Sequence, residues 1–162
     1  MTSVLTDDQI QARQIEMMMR ASKSIWHCTF LMTVPSAGTA PGAANMARVL
    51  ATAAGRKIEV NVILNQHRFS MTRRSPCGLA ARWLTLNGVN VRLANPSVLL
   101  HAKVLIVDES HAVVSSANST DSAHRHNKEA GVYLDDKPSI QSLLTWAAEI
   151  QRAAVPHIAS RG

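Results

Sequence analysis

The chain is 162 residues long and 46% apolar, enough for one domain with a sizeable core. Lys and Arg number 17 against 11 Asp and Glu, a formal charge of +6, which favours anionic partners without separating nucleic acid from anionic lipid. No apolar run approaches the ~20 residues that span a bilayer, and the opening Met-Thr-Ser-Val-Leu-Thr-Asp-Asp shows no basic segment followed by an apolar one. No membrane insertion and a cytoplasmic location are therefore expected.

Thr6, Asp7 and Asp8 make a helix start with acidic residues in the first turn. The helix is predicted to run to about Ser22, with Ile10, Gln14, Met17, Met18 and Ala21 near one face, so the Met run reads as core filler. Residues 24–33 read as the first strand, with His27 a satisfied histidine of the core. Cys28 and Cys77 read as buried, reduced thiols. A Pro/Gly/Ser/Ala loop leads to a helix over 42–54, closed by Gly55 and Arg56-Lys57. The second strand is 58–64. The loop 65–75 carries Arg68, Arg73 and Arg74 with His67 and Phe69. Such a set suits gripping a nucleic-acid backbone, and it suits a solvated surface loop equally well. A helix over 76–87 starts at Pro76 and ends at Gly88, and 89–93 is a third strand.

The most informative stretch is 98–120. Residues 99–107 are apolar and β-branched, Asp108-Glu109-Ser110 supplies turn chemistry, and 111–116 returns, so a β-hairpin is predicted. Side chains alternate along a strand, placing His101 and Lys103 on one face and giving Ser116 and Asn118 a common parity on the other arm. An imidazole, an ammonium, a hydroxyl and a carboxamide gathered in one place suit a phosphoryl group. Lys and Asn can hold its oxygens, and His can act as nucleophile or general acid/base.

Residues 119–128 read as a polar, basic loop near the phosphate. His124-x-His126 within it is weak ground for a metal, and no metal or cofactor is expected. A strand over 129–134 follows. The last helix, 138–152, has Ile140, Leu143, Leu144, Ala147 and Ile150 on its apolar face and Trp146 as an anchor. Residues 153–162 read as a frayed tail. The element order predicts an α/β sandwich, a mixed sheet flanked by helices, in a single domain over 1–162.

His101-x-Lys103-x4-Asp108 followed by Ser116-x-Asn118 resembles the HKD motif of the phospholipase D superfamily, matching at five positions. Ser115 stands where the family usually has Gly, which removes a residue that lets backbone approach phosphate closely. Glu129 matches a carboxylate that the family carries further on. The resemblance covers nearly the whole chain and implies the same phospholipase D-like α/β sandwich.

With one motif rather than two, the nearest likeness is to the small Nuc-type bacterial endonucleases. That likeness implies a homodimer acting on DNA, possibly also RNA, without a metal, through a phosphohistidine. It implies a catalytic set of His101, Lys103, Asn118, Ser116 and Glu129. Asp108 belongs to the motif but is expected to support the hairpin or its histidine. Arg68, Arg73, Arg74 and Arg125 would bind substrate. The alternative within the family is a phospholipid hydrolase or phosphatidyl transferase. A third class is a nucleic-acid-binding module with an idle site, or a subunit of a larger defence or mobile-element system. The 4% aromatic content argues against a single-strand binder that works by stacking.

Overall fold

Among the described residues eight strands form one mixed sheet with a core on each of its faces. The computed structural model describes residues 2–35, 45–66 and 75–158. In chain order the elements are β1 (Thr2–Thr6), α1 (Asp8–Arg20), β2 (Ser24–Thr29), α2 (Asn45–Gly55), β3 (Glu59–Leu64), α3 (Pro76–Leu86) and β4 (Asn90–Leu93). Then come β5 (Lys103–Val107), β6 (His111–Ser115), α4 (Asp121–Arg125), β7 (Ala130–Leu134), α5 (Lys137–Ala153) and β8 (Val155–Pro156). The sheet order is β1-β7-β6-β5-β2-β3-β4-β8. β2, β3 and β4 run parallel, and β5 lies antiparallel to β2.

Period two sorts the side chains. On β5, Leu105 and Val107 join Ile10 and Met18 of α1, Leu50 of α2 and Leu84 of α3 in one cluster. Val104 and Ile106 join Ile140 and Ala147 of α5 in the other. This is the α/β sandwich expected from the element order. The helix signals also hold locally. The Ser75 hydroxyl accepts from Gly78 N at the start of α3, and the Asp136 carboxylate accepts from Ser139 N at the start of α5. Of the three consecutive methionines at 17–19, Met17 and Met18 are buried while Met19 is exposed.

Several boundaries differ from the sequence reading. Residues 2–6 form an edge strand paired with β7, not merely the approach to a helix. The strand predicted over 99–107 begins only at Lys103: Leu99 is half exposed, and Leu100 N donates to the buried side chain of Asn65 instead of to a ladder. The loop predicted over 119–128 contains α4, whose N-cap Thr120 accepts from Ala123 N. Residues 153–157, expected as a frayed tail, finish α5 and continue as β8. There Val155 and Pro156 pair with Leu93 and Arg92, and His157 N donates to Val91 O. Arg68, Arg73 and Arg74 lie outside the described residues.

Gly131 of β7 faces Ser115 of β6 at a spacing that admits no side chain. A Cβ there would sit 2.7 Å from Ser115 Cβ and 2.9 Å from the Val114 carbonyl oxygen. Gly131→Ala is expected to lower unfolding free energy by about 1–3 kcal/mol in urea denaturation, since the obstacle includes backbone.

Candidate active site

Because β5 runs antiparallel to β2, its first residues lie beside the last residues of β2. The end of β6 and the start of β7 pair at the same level, Ser115 opposite both Lys103 and Gly131. One rim of the sheet therefore collects the start of β5 and the segments that leave β6 and enter β7. His101, Lys103, Ser116, Asn118 and Glu129 all belong to it.

Lys103 is the inward member. It is only 5% exposed, and its parity places it on the face covered by α1 to α3. Its Nζ lies 3.4 Å from His101 Nδ1, at the outer limit of a hydrogen bond. The same ammonium is 5.7 Å from the Phe30 ring centroid. His101 is exposed, with its ring tilted against Phe30 at 4.9 Å. Phe30, just beyond β2, thus forms an apolar wall behind both groups. Burial draws the Lys103 pKa below its usual value, and the negative charge of Glu129 opposes this.

Ser116 Oγ donates to Glu129 Oε2 in a short contact and accepts from Ala130 N at 3.1 Å. Asn127 Nδ2 donates to Glu129 Oε1 at 3.0 Å. A hydrogen bond to His101 is not among those that Glu129 makes with the described residues; its link to the Lys103 ammonium is electrostatic. Asn118 Oδ1 accepts from Leu31 N at 3.3 Å, fastening the segment after β6 to the end of β2.

Asp108 is not brought to this rim. It sits in the turn at the opposite end of β5, at φ 53°. Its carboxylate accepts from the N–H groups of Ser22, Lys23 and Ser24 and from Ser22 Oγ. Burial opposes its ionisation, but the backbone donors prevail and hold its pKa below the usual carboxylate value. Arg125 is exposed on α4 and pairs with Asp121 at 2.7 Å. His124 is buried while His126 is exposed, so the two do not share a surface.

Behind the rim lies a buried polar layer of which the sequence reading recovered only His27. His27 Nε2 and Ser119 Oγ are 2.8 Å apart. Ser119 N donates to Leu31 O, and Thr33 N donates to Ser119 O. Burial pushes the His27 pKa down to about 4. Asn65, directly after β3, holds the Leu100 backbone one residue before His101. A polar residue closing an apolar strand was the available signal for Asn65. Nothing local marked Ser119.

Comparison with known proteins bears on the family and the fold. The family model described as the PLD-like domain of cardiolipin synthase matches residues 14–151. The chain belongs to the phospholipase D-like family. Its fold resembles that of Nuc from Salmonella typhimurium, a phospholipase D family member, with a TM-score of 0.80 at 19% identity, covering 97% of this chain and 99% of that one. It also resembles NucT from Helicobacter pylori, with a TM-score of 0.73 at 16% identity over 97% and 99% of the two chains. In sequence it is 27% identical over 134 residues to phospholipase D Z of Dictyostelium discoideum, covering 79% of this chain and 32% of that protein. The chain thus spans about a third of the length of that curated relative.

Two consequences are measurable. Asp108→Ala removes a carboxylate that serves three backbone donors, and is expected to lower unfolding free energy by about 2–3 kcal/mol in urea melts. His27 takes its proton in the unfolded chain at about pH 6.5 but in the folded one only at about pH 4. Stability should therefore fall as pH drops through the first value and level off below the second. Between about pH 7.5 and about pH 5 the expected loss from this group is about 2 kcal/mol, and the loss should be smaller in His27→Gln.

Proposed function

We propose that the protein is a metal-independent phosphodiesterase that hydrolyses nucleic acid, DNA foremost, at a site completed by a second copy of the chain. The observation that carries this reading is the buried Lys103 ammonium set against the exposed His101 imidazole, at a rim that also holds Ser116, Asn118 and Glu129. The imidazole is open to an incoming ester while the ammonium is fixed behind it. The net positive charge suits a polyanionic substrate.

One histidine cannot serve as both nucleophile and acid in the same step. In the proposed reaction His101 of one protomer attacks phosphorus, forming a P–N bond as the P–O bond to the leaving group breaks. His101 of the partner subunit, as imidazolium, gives its proton to the departing oxygen. It then takes a proton from water, whose oxygen attacks phosphorus and releases the first imidazole. A two-fold axis places both histidines at one centre. Lys103 and Asn118 from each protomer hold the non-bridging oxygens, so fixed donors supply the neutralisation that the developing charge requires. Ser116 adds a hydrogen bond, and Glu129 sustains the ammonium electrostatically.

A second reading, hydrolysis or transfer of a phospholipid headgroup, draws on one feature. A cleft of about 550 Å³ adjoins His101, lined by Leu99, Leu100, Trp146 and Ile150, and it suits an apolar substituent. Among the described residues no helix is long and apolar enough to cross a membrane.

The test is cleavage of plasmid and single-stranded DNA in excess EDTA, beside phosphatidylcholine vesicles. DNA cleavage should persist in EDTA, and in His101→Ala it should fall on the order of a thousandfold or more. Sedimentation should show a dimer. Loss of cleavage in EDTA would overturn the histidine mechanism, and turnover confined to the vesicles would favour the second reading.

A further inference from the structure

Taking the rim as the phosphodiesterase site proposed above, the geometry points to Asp7 as a positioning residue that holds Glu129, and through it Ser116, in place. Asp7 lies between β1 and α1, far from the motif in sequence. Its N–H donates to Glu129 O at 3.0 Å, and its Oδ1 accepts from Glu129 N at 3.1 Å. Both main-chain polar groups of Glu129 are thus taken by one residue. Asp7 Oδ2 also accepts from Lys128 Nζ at 3.1 Å. The Glu129 N–H, followed by the Lys128 ammonium, keeps the Asp7 carboxyl below its usual pKa, so it stays an acceptor through the neutral range.

Two further observations show that Asp7 is committed to this clamp rather than to its own helix. It occupies the N-cap position of α1, yet its side chain accepts nothing from the first turn of that helix. An Asp at that position ordinarily caps. Its backbone also sits at φ 48°, ψ −120°, a region that residues with a side chain seldom occupy and that recurs where surrounding structure enforces a functional geometry. The carboxylate is turned away from α1 and toward β7.

What Asp7 fixes matters because the carboxylate of Glu129 is the junction of the rim. It receives Ser116 Oγ on one oxygen and Asn127 Nδ2 on the other, and its charge supports the buried Lys103 ammonium. Ser116 in turn accepts from Ala130 N, the residue after Glu129. A Glu129 backbone released from Asp7 would let the carboxylate and the serine drift together. Misplacement on the scale of 1 Å is enough to lower turnover substantially.

The experiment compares the parent with Asp7→Ala, Asp7→Asn and, as a control for a neighbouring exposed carboxylate, Asp8→Ala. Steady-state cleavage of a DNA oligonucleotide is read together with amide hydrogen exchange at Glu129. Asp7→Ala should lose about ten- to a hundredfold in kcat with little change in KM, and the Glu129 amide should lose protection. Asp7→Asn keeps an acceptor for Glu129 N and should recover most of both, while Asp8→Ala should match the parent. Parental kcat and parental protection in Asp7→Ala would overturn the clamp. So would a fall in melting temperature with unchanged kcat, which would make Asp7 a purely structural residue. A parent that cleaves no phosphodiester would overturn the functional reading instead, and the Glu129 amide alone would then decide the clamp.

Discussion

A single amine in a nearly closed pocket sets the terms for the rest of the molecule. Burying an ammonium without partners is expensive, and Lys103 is buried on an otherwise apolar strand. Its surroundings answer that cost in three ways: the His101 ring at contact distance, the π-face of Phe30 nearby, and the negative charge of Glu129. Each of these requires a different part of the fold to arrive at the same rim. Phe30 comes from just beyond β2, Glu129 from just before β7, and His101 from the segment tied down by Asn65, which follows β3. The sheet order, which sets β5 between β2 and β6, makes that convergence possible.

The hairpin of β5 and β6 divides its duties between its ends. At one end Asp108 gathers three backbone donors from the α1–β2 turn and welds the hairpin to the first helix. At the other end His101 stands exposed beside the buried Lys103. Between them β5 is buried along its whole length, with both faces packed. A site mounted on such a rod is held more firmly than one mounted on a loop. The motif thus joins an anchoring aspartate and an exposed histidine at opposite ends of the same strand.

Much of this was legible in the sequence because local pattern and burial agreed. The α1 stripe of Ile10, Gln14, Met17 and Met18 packs as its spacing predicted. The hairpin, α3 with its Pro start and Gly88 end, and α5 were visible for the same reason. What local sequence does not carry depends on partners distant in the chain. Thr2–Thr6 is a strand only because β7 pairs with it, and Val155–Pro156 only because β4 does. The strand starts at Lys103 rather than at Leu99 because a side chain, Asn65, takes the Leu100 backbone donor that a ladder would have used. The motif named residues that share the rim, but not how they are linked. That Glu129 meets Ser116 and the Lys103 charge does not follow from spacing, whereas the place of Asp108 in the hairpin turn does.

The pairing of β1 with β7 has a consequence for how the protein comes into being. Asp7 and Glu129 are 122 residues apart, so the rim cannot close while the chain is being synthesised until nearly all of the sheet has been made. The early unit β2-α2-β3-α3-β4 has its contacts close in sequence and can assemble first. The β1 edge waits for β7, which follows every other strand but β8, and it bears the entropy of closing the longest loop between paired strands. Nascent chains would therefore carry a formed scaffold with an unformed centre. The groups of the rim come together only once β7 has been made.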